Sequence, residues 1–370
     1  MDEQGKLISI YTVYIALVLF NVSVFFSAAN IVRDNVESST QYRHVLLSAQ
    51  IGSAPLALAV VFIGLMTFQG ALRWYITASE MAFLSGFLIF QQLADFHRRA
   101  GYVFDLIGRA ALQSVLLYGA RIAAILYLRP ETVSGFLFAM ALPAFPLALY
   151  GVIRCLLDRG KLVGADGGRD IARLHLSLSK WNIYGAPLRW AGLHLPILFV
   201  GALHSLEAAA ILGTLRAITT FANVLLELLE TSVPAWLSGK RQQGQQALLS
   251  GSLALLGVGS LIWAAGMAAM ALMGETVIRN MLDAEYAAYT PVLYVIWAGN
   301  GIYFVGRTVG LHYRMQQNSK LEFLGLAMGA CALLLSVPLI PLYGAWGGAW
   351  SLVIVQVATL GGLLASRPGS

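Results

Sequence analysis

Three arginines lie inside segments of the sequence that are otherwise apolar. Arg121, Arg189 and Arg216 each stand well within a long hydrophobic run. A guanidinium at the centre of a bilayer costs on the order of 2.5–3.5 kcal/mol, so such a residue is expected to face a bundle interior or a water-filled cavity. Because a guanidinium is always charged and donates paired hydrogen bonds to phosphate, the three residues predict an anion site. Internal pairing with a glutamate or with carbonyl groups is the structural alternative.

Further polar residues share the helix faces on which these arginines stand, at spacings of three, four or seven positions. They are Tyr118, Asn182, Thr220 and Asn223. Together with the three arginines they form the predicted wall of a central cavity. In that cavity the arginines would hold an anionic group.

Glu80 is the candidate for coupling to an ion, because it is an acidic residue at the start of a predicted membrane helix. A counter-charge to one of the arginines is an equally good interpretation. The two cysteines have neither metal-site nor disulfide spacing. The sequence therefore predicts no catalytic residue, no metal and no cofactor.

The elements that must position these residues are membrane helices. Of 370 residues, 58% are hydrophobic and only 11% are charged, and the mean hydropathy is +0.72. Runs of this length suit helices, which need about 20 apolar residues to cross a bilayer, better than barrel strands. The predicted fold class is an all-α integral membrane protein with about eleven transmembrane helices. These are predicted at 7–29, 45–68, 74–93, 109–128, 133–153, 181–202, 206–230, 248–273, 288–306, 322–340 and 346–365.

The basic residues predict the orientation of these helices. When successive connections are assigned to alternate sides, one side receives 17 lysines and arginines and the other receives 4. The basic side is cytoplasmic by the positive-inside rule, which places the N-terminus outside and the C-terminus in the cytoplasm. The net charge of +6 therefore reflects membrane topology, and no nucleic-acid partner is expected.

A weak internal repeat divides the chain. Residues 96–110 (FHRRAGYVFDLIGRA) align with residues 313–327 (YRMQQNSKLEFLGLA) at an offset of 217. The predicted organisation is an N-terminal lobe at 1–155 with five helices, a flexible basic cytoplasmic linker at 156–180, and a C-terminal lobe at 181–370 with six. Helix six would have its repeat partner before residue 1. The pattern is thus that of a twelve-helix fold that lacks its first helix.

Two lobes joined by a basic segment resemble the polysaccharide (O-antigen type) flippases of the multidrug/oligosaccharidyl-lipid/polysaccharide exporter superfamily. The stretches that carry the resemblance are DFHRRAGYVF, HLPILFVGALHSLEAAAILGTLRA, ETSVPAWLSGK, AEYAAYTPVL and PLIPLYGAWGGAW. The resemblance implies a monomer in the bacterial cytoplasmic membrane that works by alternating access. It implies a polyprenyl-diphosphate-linked oligosaccharide as substrate, surrounding membrane lipids, and other proteins of polysaccharide (lipopolysaccharide) assembly as partners.

Three alternatives remain open from the sequence. One is a multidrug exporter of the same superfamily, for which acidic cavity walls would be expected and not basic ones. A membrane enzyme of glycan assembly would show a catalytic loop or an intramembrane His/Asp pair, and the short exterior loops supply neither. A remnant that no longer transports would explain the missing helix.

Overall fold

The computed structural model describes residues 2–33, 39–72, 76–104, 107–157, 165–219, 223–282 and 284–366. Within these ranges the chain is helical, with short turns and no strand. The predicted all-α fold is confirmed.

The first half of the chain forms eight α-helices and one π-helical turn. They are α1 (Asp2–Asn21), the π-helix (Val22–Phe26), α2 (Ala29–Arg33), α3 (Ser39–Leu72), α4 (Ala78–Val103), α5 (Ile107–Leu128), α6 (Val133–Ala141), α7 (Ala144–Leu157) and α8 (Ala165–Leu203).

The second half forms seven more α-helices, with a 3-10 segment at Ala284–Tyr289. They are α9 (Leu206–Ile218), α10 (Asn223–Gln242), α11 (Gln245–Met281), α12 (Thr290–Met315), α13 (Ser319–Ser336), α14 (Leu339–Tyr343) and α15 (Ala345–Ala365).

Eight helical segments of the described ranges are long and apolar enough to cross a membrane, and α5 and α11 expose much of their apolar surface. Each of the eleven predicted spans coincides with one or two of the observed helices. The eight include neither α4 nor α12, which carry buried arginines. The chain is a multi-pass membrane protein.

Two predictions about helix continuity were wrong. The sequence predicts one helix over 206–230, but α9 ends at Ile218 and α10 begins at Asn223. At this break the Thr219 hydroxyl donates to the Arg216 carbonyl at 2.7 Å, a local bond of the kind that competes with helix. The sequence also predicts a flexible linker up to residue 180, whereas residues 165–180 form the first four turns of α8.

The chain divides into two compact units. The C-terminal unit comprises Met1–Thr12 and Trp181–Ser370, and the N-terminal unit comprises Val13–Lys180. The core of the C-terminal unit is an aromatic and aliphatic cluster that includes Leu212, Trp263 and Trp297. In the N-terminal unit a smaller cluster contains Tyr42 and Phe96.

Glycines allow α13 and α15 of the C-terminal unit to pack closely. A Cβ atom added to Gly325 would lie 2.9 Å from the Thr359 carbonyl oxygen and 2.7 Å from Leu363, closer than real Cβ contacts. Gly329, four residues further along α13, also faces Thr359. The spacing is the small-xxx-small pattern of close helix contacts in membranes.

The register of the internal repeat differs from the predicted one. Helix α4 ends at Val103 and α12 at Met315, and α5 begins at Ile107 and α13 at Ser319. Both helix boundaries are separated by 212 positions, five fewer than the predicted offset of 217. Matching of glycines and aromatic residues selected the wrong register, because such residues recur throughout apolar helices.

Candidate functional site

The charged centre of the C-terminal unit is Glu322, which is surrounded by three arginines. Arg189 Nη2 donates to Glu322 Oε1 at 2.7 Å, and Arg307 Nη1 donates to the same oxygen. Arg314 donates to both carboxylate oxygens, with Nη2 at 3.0 and 3.1 Å and Nε at 3.3 Å. All four residues are more than nine-tenths buried. We call this group the Glu322 cluster.

Local structure explains how α12 and α13 form the Glu322 cluster. Arg307 and Arg314 are seven residues apart and therefore lie on one face of α12. Gly310 stands between them, and a Cβ atom there would lie 3.2 Å from Glu322 Cγ, so the absence of a side chain makes room for the carboxylate. Glu322 itself lies in the first turn of α13, where the helix dipole favours a negative charge.

Among the described residues, the Glu322 cluster brings three guanidinium groups to one carboxylate. Burying charges is costly unless their hydrogen bonds are satisfied. Two buried atoms on α8, Arg189 Nε and Asn182 Oδ1, have no hydrogen-bond partner among the described residues. The described part of the cluster is therefore rich in basic groups and has an unused donor on Arg189.

Arg216, at the end of α9, makes contacts of a different kind. Its Nη1 donates to the Leu193 carbonyl of α8, as in the structural alternative considered for this residue. Tyr303 on α12 interacts electrostatically with Arg189, Arg216 and Glu322. Two of the three predicted arginines thus share one electrostatic neighbourhood within the C-terminal unit.

Of the three other predicted site residues in this unit, the structure describes the side chain of one. Asn182 donates from Nδ2 to Ser319 Oγ at 3.4 Å, beside the Glu322 cluster. Thr220 lies outside the described residues, and Asn223 is the first residue of α10 but its side chain is not described. Their place on the wall of a cavity with Arg216 stays a prediction.

In the N-terminal unit, buried Arg121 on α5 joins two other helices. Its guanidinium donates to Gln91 Oε1 of α4 and, through Nε at 3.2 Å, to the Met140 carbonyl of α6. Its Cζ also lies 5.7 Å from the ring centre of Phe87 and 5.8 Å from that of Tyr118, within cation–π range. Arg121 belongs to a unit other than that of Arg189 and Arg216, and one cavity lined by all three stays a prediction.

A polar cavity of about 290 Å³ lies close to Arg121 along α4 and borders the π-helix Val22–Phe26. Its polar lining includes Gln50, Gln91, Gln92, Asp95 and Arg99. Asp95 receives a hydrogen bond from Arg98 Nη2 at 3.2 Å. π-helical turns often occur at functional sites, because the extra residue opens the helix.

Glu80 lies in the first turn of α4, where it forms a capping box with Thr77. Its Oε2 accepts hydrogen bonds from the Thr77 backbone N–H at 2.7 Å and from the Thr77 hydroxyl at 2.9 Å, while the Glu80 N–H donates to Thr77 Oγ1 at 3.3 Å. These bonds give Glu80 a role in helix initiation. Ion coupling by this residue stays a prediction.

Sequence reasoning missed most of the buried charged residues. Arg98, Arg99, Arg307 and Arg314 were predicted to lie in cytoplasmic connections, whereas all four are buried within α4 and α12. If buried residues are left out on both sides, where Lys6 is buried as well, the counts of basic residues change from 17 and 4 to 13 and 3. The seven-residue spacing of Arg307 and Arg314 with Gly310 between them was a usable signal of a shared helix face.

The described residues contain no group of three or more histidine, cysteine or acidic side chains that is arranged to hold a metal ion. The polar groups of the candidate sites are guanidinium, carboxylate and amide groups. Such groups bind and orient charged ligands and exchange ion pairs.

This helical arrangement is the fold of membrane transporters of the MOP superfamily. One similar structure is a MOP superfamily transporter from Pyrococcus furiosus, for which reverse polarity of the binding pocket suggests a different function. It matches with a TM-score of 0.68 at 15% identity, over 96% of this chain and 85% of its own. A MATE transporter in complex with MaL6 matches with a TM-score of 0.69 at 14% identity, with the same coverage.

An inward-facing multidrug resistance MATE family transporter matches with a TM-score of 0.65 at 13% identity over 98% of this chain and 88% of its own. At these identities the likeness establishes the fold. No family model and no curated protein matches the sequence.

Proposed function

We propose that the chain is a membrane exporter that works by alternating access. The observation that carries the proposal is the likeness of 96–98% of its length to transporters of one fold. Transporters of this fold have been seen in inward-facing and outward-facing conformations. Alternating access moves a substrate by opening a binding site to one side of the membrane at a time.

The charge of the C-terminal unit supports an anionic substrate. Among the described residues the Glu322 cluster brings three arginines to one carboxylate, and Arg216 is a further basic group nearby. The resemblance in sequence to polysaccharide flippases supplies a specific candidate, a polyprenyl-diphosphate-linked oligosaccharide destined for the cell surface. Its diphosphate is the group that arginine side chains would hold.

A multidrug exporter is the second candidate, and the structural comparisons favour it over a flippase. Two of the matching transporters are multidrug resistance MATE proteins. The N-terminal unit also offers an acidic group, Asp95, at the wall of its polar cavity. A carboxylate in such a place suits an organic cation or a coupling proton.

Transport by the purified full chain in proteoliposomes separates the two candidates. One preparation carries a fluorescent polyprenyl-diphosphate glycolipid, and the other encloses a fluorescent organic cation. We expect glycolipid to cross only in the presence of the protein and Arg216→Gln to slow this crossing at least tenfold. Arg279→Gln, which removes an exposed guanidinium, is the matched control.

The outcomes of this experiment are distinct. Movement of the cation without the glycolipid replaces the first candidate with the second. Movement of neither substrate, in a preparation whose protein retains its native elution volume, overturns the exporter proposal. Equal crossing by wild type and Arg216→Gln removes this arginine from the substrate site.

The cellular setting is part of the proposal. The exporter would act as a monomer in a bacterial cytoplasmic membrane, with its C-terminus in the cytoplasm. Thiol labelling of single cysteines introduced at Gln243 and Arg279 tests the orientation, because these exposed residues lie at opposite ends of α11. Labelling of Gln243→Cys in intact cells by a reagent that cannot cross the membrane would overturn it.

A further inference from the structure

The N-terminal unit has a second pocket at one end of its helices, and its empty space, open solvent included, is about 610 Å³. Its walls come from the beginning of α3, the end of α4, the beginning of α5 and the end of α7. The charged and titratable residues of its lining are Arg43, His97, Arg109 and Arg154. We call it the basic pocket.

Among the described residues that line the basic pocket, none is acidic. Arg43 on α3, Arg109 on α5 and Arg154 on α7 each act electrostatically on His97 of α4, so four helices direct their basic groups at one space. Arg109 and Arg154 form no ion pair with a described carboxylate. By contrast, exposed Arg279 on α11 is paired with Glu275 at 2.6 Å.

Aromatic and glycine residues shape the floor of the basic pocket. The His97 ring meets the Tyr150 ring edge-on, with 5.5 Å between their centres, and Arg109 Cζ lies 5.9 Å from the centre of the same tyrosine. A Cβ atom at Gly151 would lie 3.0 Å from His97 Cγ, so the missing side chain lets α7 approach the histidine. His97 is therefore held by packing, whereas Arg109 and Arg154 line the pocket as exposed side chains.

Apolar surface continues from the basic pocket along two of its helices. Leu112 and Leu116 follow Arg109 on α5, and Leu149 and Ile153 precede Arg154 on α7. All four leucine and isoleucine side chains are exposed. A ligand with a charged head and acyl chains matches this combination, because the chains would lie on the exposed leucines while the head enters the pocket.

We propose that the basic pocket binds the phosphate group of an anionic membrane phospholipid. Arginine donates paired hydrogen bonds to phosphate oxygens. Basic pockets between membrane helices on the cytoplasmic side are typical sites for anionic lipid headgroups, and the charge bias predicts that this end of the unit is cytoplasmic. The site is separate from the Glu322 cluster, so it does not depend on which substrate the protein exports.

Native mass spectrometry of the full chain with phosphatidylglycerol tests the proposal. Each basic residue near an anionic lipid contributes about 1 kcal/mol, so we expect Arg109→Gln combined with Arg154→Gln to weaken lipid binding about 30-fold. The matched control is Lys240→Gln combined with Arg241→Gln, which removes two basic residues at the end of α10, outside the pocket. We expect this control to bind phosphatidylglycerol within a factor of two of wild type.

One further variant and one further ligand keep the test decisive. Gln113→Glu adds a carboxylate to the pocket lining without changing side-chain size, and we expect it to weaken lipid binding even if the double variant is unstable. Equal loss of lipid in pocket and control variants would overturn the proposal. Binding of inorganic phosphate in a protein that retains no phosphatidylglycerol would identify a free anion in place of a lipid and would also overturn it.

Discussion

Replacing Glu322 with glutamine provides a direct test of how the interior of the C-terminal unit is stabilised. The carboxylate accepts hydrogen bonds from Arg189, Arg307 and Arg314, and the side chains of the four residues are at most 7% exposed. A glutamine removes the negative charge and points an NH₂ group at guanidinium donors. Three buried guanidinium groups then lose the carboxylate that they share.

Breaking a buried ion pair by removing one partner costs about 3–5 kcal/mol. For a unit of 150–250 residues, each kcal/mol corresponds to about 2–4 °C in the unfolding midpoint. We therefore expect Glu322→Gln to lower the midpoint by about 6–20 °C. The measurement is thermal unfolding of the detergent-purified chain at a fixed heating rate, because irreversible unfolding makes the midpoint depend on that rate.

The same substitution at an exposed ion pair is the control. Glu275 pairs with Arg279 at 2.6 Å, and both side chains are about 60% exposed. Exposed pairs contribute about 0–1 kcal/mol, so Glu275→Gln should lower the midpoint by no more than about 4 °C. A Glu322→Gln protein as stable as Glu275→Gln would refute the view that the buried arginines need this carboxylate.

A double variant tests the charge balance itself. Arg307→Gln alone leaves Glu322 paired with Arg189 and Arg314 and should cost less than Glu322→Gln. In the Glu322→Gln background, Arg307→Gln removes a charge that repels the other two arginines, so the double variant should lose less stability than the sum of the two single losses. Strict additivity would show that repulsion among the arginines does not determine the stability of the cluster.

Three more predictions concern other parts of the chain. Thr77→Ala removes the capping hydrogen bonds that Thr77 shares with Glu80 and should destabilise the protein by about 1 kcal/mol, whereas Thr77→Ser should retain its stability in thermal unfolding. Gly325→Ala should cost about 1–3 kcal/mol because the new methyl group collides with α15, and Gly257→Ala, which has open space around its Cα, should not destabilise the protein. Burial and three arginines lower the pKa of His97 to about 4, so the folded protein loses stability as the pH falls from about 6.5 towards 4. A bound phosphodiester should raise this pKa, and phosphatidylglycerol should therefore bind more tightly at pH 5 than at pH 7. His97→Gln should abolish this difference in binding.

The sequence by itself determined the all-α class and the approximate positions of the apolar helices. Hydropathy and helix length are local properties, and a segment of about 20 apolar residues has few other stable states in a bilayer. The same local reasoning identified Arg121 and Arg189 as buried residues and Arg216 as a partly buried one, because the cost of exposing a guanidinium to lipid applies wherever the helix packs.

The tertiary structure decided which partners these arginines have. Arg189 is joined to Glu322, 133 positions away, and Arg121 to Gln91, 30 positions away, and no periodicity within one helix encodes such distant pairings. It also showed that Arg307 and Arg314 lie in the interior and that α9 ends at Ile218. The physical reason is that a buried charge is stabilised by groups from several helices at once. Its surroundings are fixed only when those helices pack.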